Sequence, residues 1–268
     1  MFTVFWRLLK DRKNTIIMFS VFGTAMLWLY ILMFPSMEKF GQDLMAYMEA
    51  LPPTFSDLFP VSEATFASIE NFLAMEHYSL MVPLFIIFMV VAMAAASLAS
   101  EVESGTAEIV LAQPISRLKI FFSRYLVGIT SLIIFITAST LMIIPLAGLH
   151  NVEYSLTNFI SISILCLVFG WAIYSIAMLA SAIFSERSKV YMFMGGMMVG
   201  MYILQIVASI NEKWDYVQYF SFFYYYDYNK AILENSIDPI NILLFSAVII
   251  ICTIVGAYWF NKRDIAIQ

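Results

Sequence analysis

Six stretches of this 268-residue chain contain no Asp, Glu, Lys, Arg or His, and each is at least 20 residues long. They run over residues 15–34, 79–100, 125–149, 159–184, 190–210 and 240–260. About 20 apolar residues in an α-helix cross the hydrocarbon of a bilayer. At that depth only a helix or a closed barrel satisfies every backbone N–H and C=O. Continuous apolar runs of this length, without strand-like alternation, predict six transmembrane helices and an all-α integral membrane protein. Composition agrees: the chain is 62% hydrophobic and 12% charged, where a soluble domain is about half apolar and a quarter charged.

The charges between the windows give an orientation. Residues 1–14, 101–124, 185–189 and 261–268 hold 11 Lys or Arg and 6 Asp or Glu, whereas residues 35–78, 150–158 and 211–239 hold 3 and 13. Basic residues mark the cytoplasmic side, so the first set is expected in the cytoplasm, together with both termini. The formal charge of −5 is then a property of the outer loops and implies no nucleic-acid partner. The basic residues Arg7, Lys10, Arg12 and Lys13 precede the first apolar run, as in a signal peptide. That run is 20 residues long with no small-x-small site after Pro35, so it reads as a retained span. Cys166 and Cys252 lie inside apolar windows and imply neither a disulfide framework nor a metal site.

Outside the spans, Phe2, Phe5, Trp6 and Leu9 recur at helical spacing opposite Arg7, Lys10 and Asp11. That pattern fits an amphipathic helix, residues 1–14, lying in the headgroup layer. In the outer segment 35–78, Phe40, Leu44, Tyr47, Met48 and Leu51 share one helical face, which Pro52-Pro53 closes. A second short helix is expected around 64–75, making a small helical cap. The outer segment 211–239 carries ten aromatic residues between Trp214 and Tyr228. It is either an interfacial belt or a partly re-entrant element supported by surrounding protein.

Gly196 and Gly200 in the fifth window form a G-x-x-x-G pair, a packing face for self-association or for a neighbouring helix of the same chain. Met192, Met194, Met197, Met198 and Met201 point in several directions and read as adaptable packing, not as a Cu(I) site. His77 and His150 sit at outer boundaries outside any H-E-x-x-H pattern, and no G-x-S-x-G elbow is present. No catalytic residue or metal site is therefore assigned. An ion-coupled carrier usually places ionisable groups within its spans, and these windows hold none. The chain also has no G-x-x-x-x-G-K-[ST] phosphate loop, so energy for active transport would come from a separate ATPase chain.

The segment after the second window reads Glu101-Val-Glu103-Ser-Gly105-Thr106-Ala-Glu108, then an apolar stretch, then Pro114-Ile-Ser116-Arg117. In sequence and position it resembles the first cytoplasmic loop of permease subunits of type-2 ABC exporters. Val102 and Val110 are mild departures. The resemblance extends, as a pattern, to nearly the whole chain, read as one permease domain over residues 1–268. It implies that 101–117 is a coupling-helix region docking on a nucleotide-binding subunit, with Glu101, Glu103, Gly105, Thr106, Glu108, Pro114 and Arg117 as docking and shaping residues. Glu186 and Arg187 form a second contact candidate. Locally, Ser100-x-x-Glu103 fits a capping box that starts this helix, Gly105 permits a tight bend, and Pro114 ends the helix.

The resemblance further implies two copies of an ATPase subunit holding ATP and Mg, a second permease subunit (identical or paralogous), and location in the cell membrane. An uncharged lining favours an amphipathic or apolar cargo such as a peptide, an antibiotic or a lipid-like molecule. The competing functions are ion or metal efflux, and a non-transporting anchor or sensor with permease architecture.

Overall fold

A computed structural model describes residues 2–49, 64–105, 115–210 and 212–263. Six of its helices are long and apolar enough to cross a membrane: Lys13–Asp43, Ile69–Glu103, Arg117–His150, Leu156–Ile183, Arg187–Ile210 and Pro239–Lys262, spans 1 to 6 below. No strand occurs among the described residues. The fold is all-α, as the apolar windows predict.

Spans 2 and 4 form the centre. In them 56% and 61% of the most apolar stretch is buried within the chain, against 17–28% in the other four. Span 4 lies between spans 2, 3 and 6, and glycines set the closest approaches. A Cβ at Gly170 would stand 2.6 Å from Ile86 of span 2, and one at Gly256 of span 6 would stand 3.3 Å from the Leu179 Cα of span 4. Without a hydrophobic force between helices in lipid, such close packing and interhelical hydrogen bonds hold the bundle. One hydrogen-bonded knot joins spans 3, 4 and 6. The Tyr125 hydroxyl accepts from Trp171 Nε1 and Thr253 Oγ1, both at 2.8 Å. It lies 2.6 Å from Ser175 Oγ, whose own hydrogen goes to the Trp171 carbonyl, so the tyrosine must donate in that contact.

The first window does not end at Pro35. The helix runs on from Lys13 to Glu49 with Pro35 inside it. Packing explains this: Leu27, Ile31 and Phe34 are buried on one side, and Phe34 meets Phe72 at 5.8 Å. About two turns further, Gly41 sits so close to Phe66 that a Cβ would approach it to 2.6 Å. The helix remains useful past the proline, and a single missing donor does not stop it. Leu44, Tyr47, Met48 and Leu51 have side chains outside the described residues, as do Pro52 and Pro53.

The second window also begins earlier than its apolar run. Helices Ala64–Ala67 and Ile69–Leu73 lead into a π-helical stretch, Ala74–Met81, that continues directly into Val82–Ala95. Glu70 is accommodated because its carboxylate accepts from the Ser155 N–H at 2.7 Å.

The aromatic segment after span 5 turns back into the bundle. It contains a 3₁₀ stretch, Glu212–Phe220, and short helices Phe222–Tyr225 and Tyr228–Leu233. Tyr226 is buried, its hydroxyl 3.2 Å from Cys166 Sγ, and its ring packs at a tilt against Phe169 with centroids 4.7 Å apart. Cys166 is ten residues into span 4, about 15 Å along the helix at 1.5 Å per residue. Tyr226 thus packs into the bundle, while Trp214, Tyr216, Tyr219 and Phe220 of the same segment stay exposed. Lys230 closes the return by pairing with Asp238 at 2.9 Å; that hydrogen bond and charge raise the lysine pKa above its ordinary value.

Candidate functional site

The segments grouped as basic in the sequence meet at one end of the bundle, where span 2 breaks. The run Ala94-Ala95-Ala96-Ser97 supplies little side-chain packing, and at Ser97 the backbone leaves the helix (φ −91°, ψ −89°). A break frees carbonyls that need donors. Arg12, at the start of span 1, donates to the Ala96 carbonyl. Arg124 of span 3 donates to the Ser97 carbonyl at 3.1 Å and forms an ion pair with Glu101. Beyond the break the Ala99 N–H donates to Ser181 Oγ of span 4 at 3.0 Å. Three elements thus hold the kink in place.

The short helix Leu98–Glu103 follows. Ser100 and Glu103 lie inside it and at its end, so they are not the capping box that their spacing predicts. The residue before the helix is Ser97, whose side chain makes no capping bond. The helix closes instead at Ser104 and Gly105. Gly105 has φ +69°, the left-handed conformation that glycine adopts without strain, as the bend expected there requires.

Thr106, Glu108 and Pro114 lie outside the described residues. The chain resumes at Ile115, and Ser116 caps span 3, its Oγ accepting from the Lys119 N–H at 3.4 Å. Arg117 is therefore the first residue of a long transmembrane helix. It donates to the Arg263 carbonyl at 2.5 Å, while the Arg263 guanidinium donates to the Ala182 and Phe184 carbonyls at 2.9 and 3.3 Å.

The two candidate contact segments are joined. Glu103 accepts from both the backbone N–H and Nε of Arg187 at 3.1 Å, and both side chains remain substantially exposed, 39% and 49%. Glu186 faces the other way and pairs with Lys189 at 2.5 Å. Glu101 differs from Glu103: its carboxylate turns inward onto Arg124, whose side chain is only 7% exposed. Its role is to shape the segment from inside. The sequence reading missed Arg12 and Arg124 as structural partners, having treated both as loop charges. The available signal was that the apolar helix of span 3 reads backwards past Tyr125 through Phe121 and Phe122, which places Arg124 within a helix.

The Gly196–Gly200 pair is not used inside the chain. A Cβ at Gly195, Gly196 or Gly200 would meet nothing within 4 Å, so this face of span 5 is open to lipid or to another subunit. Among the described residues no group of three or more His, Cys, Asp or Glu is placed to hold a metal ion.

No curated protein matches the sequence. The family described as ABC-2 family transporter protein matches residues 13–265, which takes in all six spans and the broken second helix. The chain belongs to that family, as a membrane-spanning subunit of an ABC transporter.

Proposed function

We propose that this subunit is an export permease, energised by a separate ATPase that docks on the basic end of the bundle. The observation that carries this reading is the convergence of Glu103 and Arg187. They form an exposed surface at the tip of a segment that continues directly into the central span 2. An ATPase bound there would push on span 2 through the break at Ala96 and Ser97. The 11-to-3 excess of Lys and Arg on this side favours a cytoplasmic placement, where ATP is available. Two ATPase copies carrying ATP and Mg, and a second permease meeting the open Gly196–Gly200 face, complete the proposed assembly.

Reversing charge at a docking surface creates like-charge or unpaired contacts. Replacing Glu103 and Glu108 by Lys is expected to weaken ATPase association about tenfold, more than Arg187→Glu, which reverses a single charge on the same surface. Co-purification and stimulated ATP hydrolysis measure both. Unchanged association and turnover in the double variant would remove the docking role.

The cargo is proposed to be amphipathic or apolar. Support comes from the six charge-free windows and from the water-sized cavity of about 20 Å³ between spans 1 to 4, lined by Ser139, Thr140, Ser163, Cys166, His77 and apolar groups, with no carboxylate, lysine or arginine. Such a lining offers little to replace an ion's hydration shell. Vesicles containing the complete complex should show ATP-driven movement of a fluorescent amphipathic peptide. Sodium or copper flux without any peptide response would overturn the assignment.

A further inference from the structure

We propose that the break in span 2 is also a binding site for the headgroup of an anionic phospholipid from the leaflet at the basic end. A cavity beside the break has two kinds of wall. Arg12, Arg124 and Glu101 supply charge, while Leu8, Met93 and Val127 supply apolar surface. Glu101 compensates Arg124. Arg12 is half-buried and its guanidinium, among the described residues, hydrogen-bonds to the neutral Ala96 carbonyl and to no carboxylate, so one positive charge at this cavity is not compensated within the described chain.

Location selects the ligand class. Arg12 connects the N-terminal helix Phe2–Asp11 to span 1. That helix carries exposed Arg7 and Lys10 and an exposed Trp6, the residue types that anchor at an interface. Basic pockets between transmembrane helices at this level bind acidic lipid headgroups. The apolar wall beside the guanidinium groups fits the glycerol and first methylenes of a lipid, which free phosphate lacks. A phosphate on Arg12 would compensate the excess charge through two-pronged hydrogen bonds. It would also steady the residue that holds the Ala96 carbonyl, tying the break to lipid composition.

The test uses the full chain purified in a neutral detergent and titrated with phosphatidylglycerol, phosphatidylcholine or inorganic phosphate. Native mass spectrometry reads occupancy, and thermal unfolding reads stabilisation. Wild type should bind about one phosphatidylglycerol selectively, and Arg12→Gln should weaken that binding about five- to tenfold. Arg12→Lys should retain most of it, and Lys13→Gln, an exposed neighbour, should change it less than twofold. An equal response to phosphatidylcholine, or an equal loss in Lys13→Gln, would replace the site by diffuse attraction and overturn the proposal. Stabilisation by phosphate matching that of phosphatidylglycerol would make it a free-anion site and overturn it too. The wild-type comparison of the three ligands decides the matter even if Arg12→Gln does not fold.

Discussion

Glu101→Ala is expected to lower the stability of the purified subunit by about 2–3 kcal/mol. Removing one partner of a buried ion pair costs about 3–5 kcal/mol, because the remaining charge is left desolvated and unpaired. The lower figure applies here because Glu101 is 26% exposed while Arg124 is 7% exposed, so water compensates part of the loss. Arg124 keeps its bond to the Ser97 carbonyl, but its second prong loses its acceptor. At about 2–4 °C per kcal/mol for a chain of this size, the midpoint of thermal unfolding in detergent should fall by roughly 5–10 °C. Glu101→Gln retains an acceptor and should lie between the two. The double variant Glu101→Ala with Arg124→Leu should lose less than the sum of the single losses, since neither charge is then stranded. A Glu101→Ala midpoint within about 1 °C of wild type would show that the pair does not hold the break.

The number and type of the transmembrane elements were legible because the bilayer imposes one simple rule, a charge-free window about 20 residues long. What lay beyond the windows followed other forces. The first window stops at Phe34, and Pro35 would end a helix with nothing further to pack. Gly41 against Phe66 gives the continuing turns a partner, and packing overrides the local signal. Ser100 and Glu103 have the spacing of a capping box, yet the backbone already turns at Ala96 and Ser97 because distant residues, Arg12 and Arg124, supply donors there. No local pattern records a contact between residues 12 and 96. The bend at Gly105 was legible by chemistry, because a left-handed turn favours glycine. The pairing of Glu103 with Arg187 was not, since two polar residues 84 positions apart carry no sign in one sequence of being neighbours.

The glycines separate in the same way, which gives the second large effect. Gly196→Ala should be neutral or slightly stabilising in the single chain, because the added methyl meets nothing within 4 Å and alanine favours a helix over glycine by up to about 1 kcal/mol. Gly128→Ala should instead cost about 3 kcal/mol, at the upper end for overpacking. Its Cβ would stand 2.1 Å from Tyr174 Cζ and 2.2 Å from the hydroxyl, so the ring must move. The ring has little freedom: Tyr174 is 1% exposed, its centroid is 5.4 Å from that of Tyr125, and its hydroxyl donates to the Arg124 carbonyl at 3.1 Å. Displacing it breaks that bond and disturbs the backbone of the residue that braces the break in span 2. Shortening the obstacle should relieve the clash, so Gly128→Ala combined with Tyr174→Leu should unfold at a higher temperature than the two single losses predict when added. Thermal unfolding of the four proteins measures the coupling. If Gly128→Ala behaves like Gly196→Ala, the close approach of spans 3 and 4 at Tyr174 is wrong, and with it the path by which the segment after the break in span 2 is braced against the membrane core.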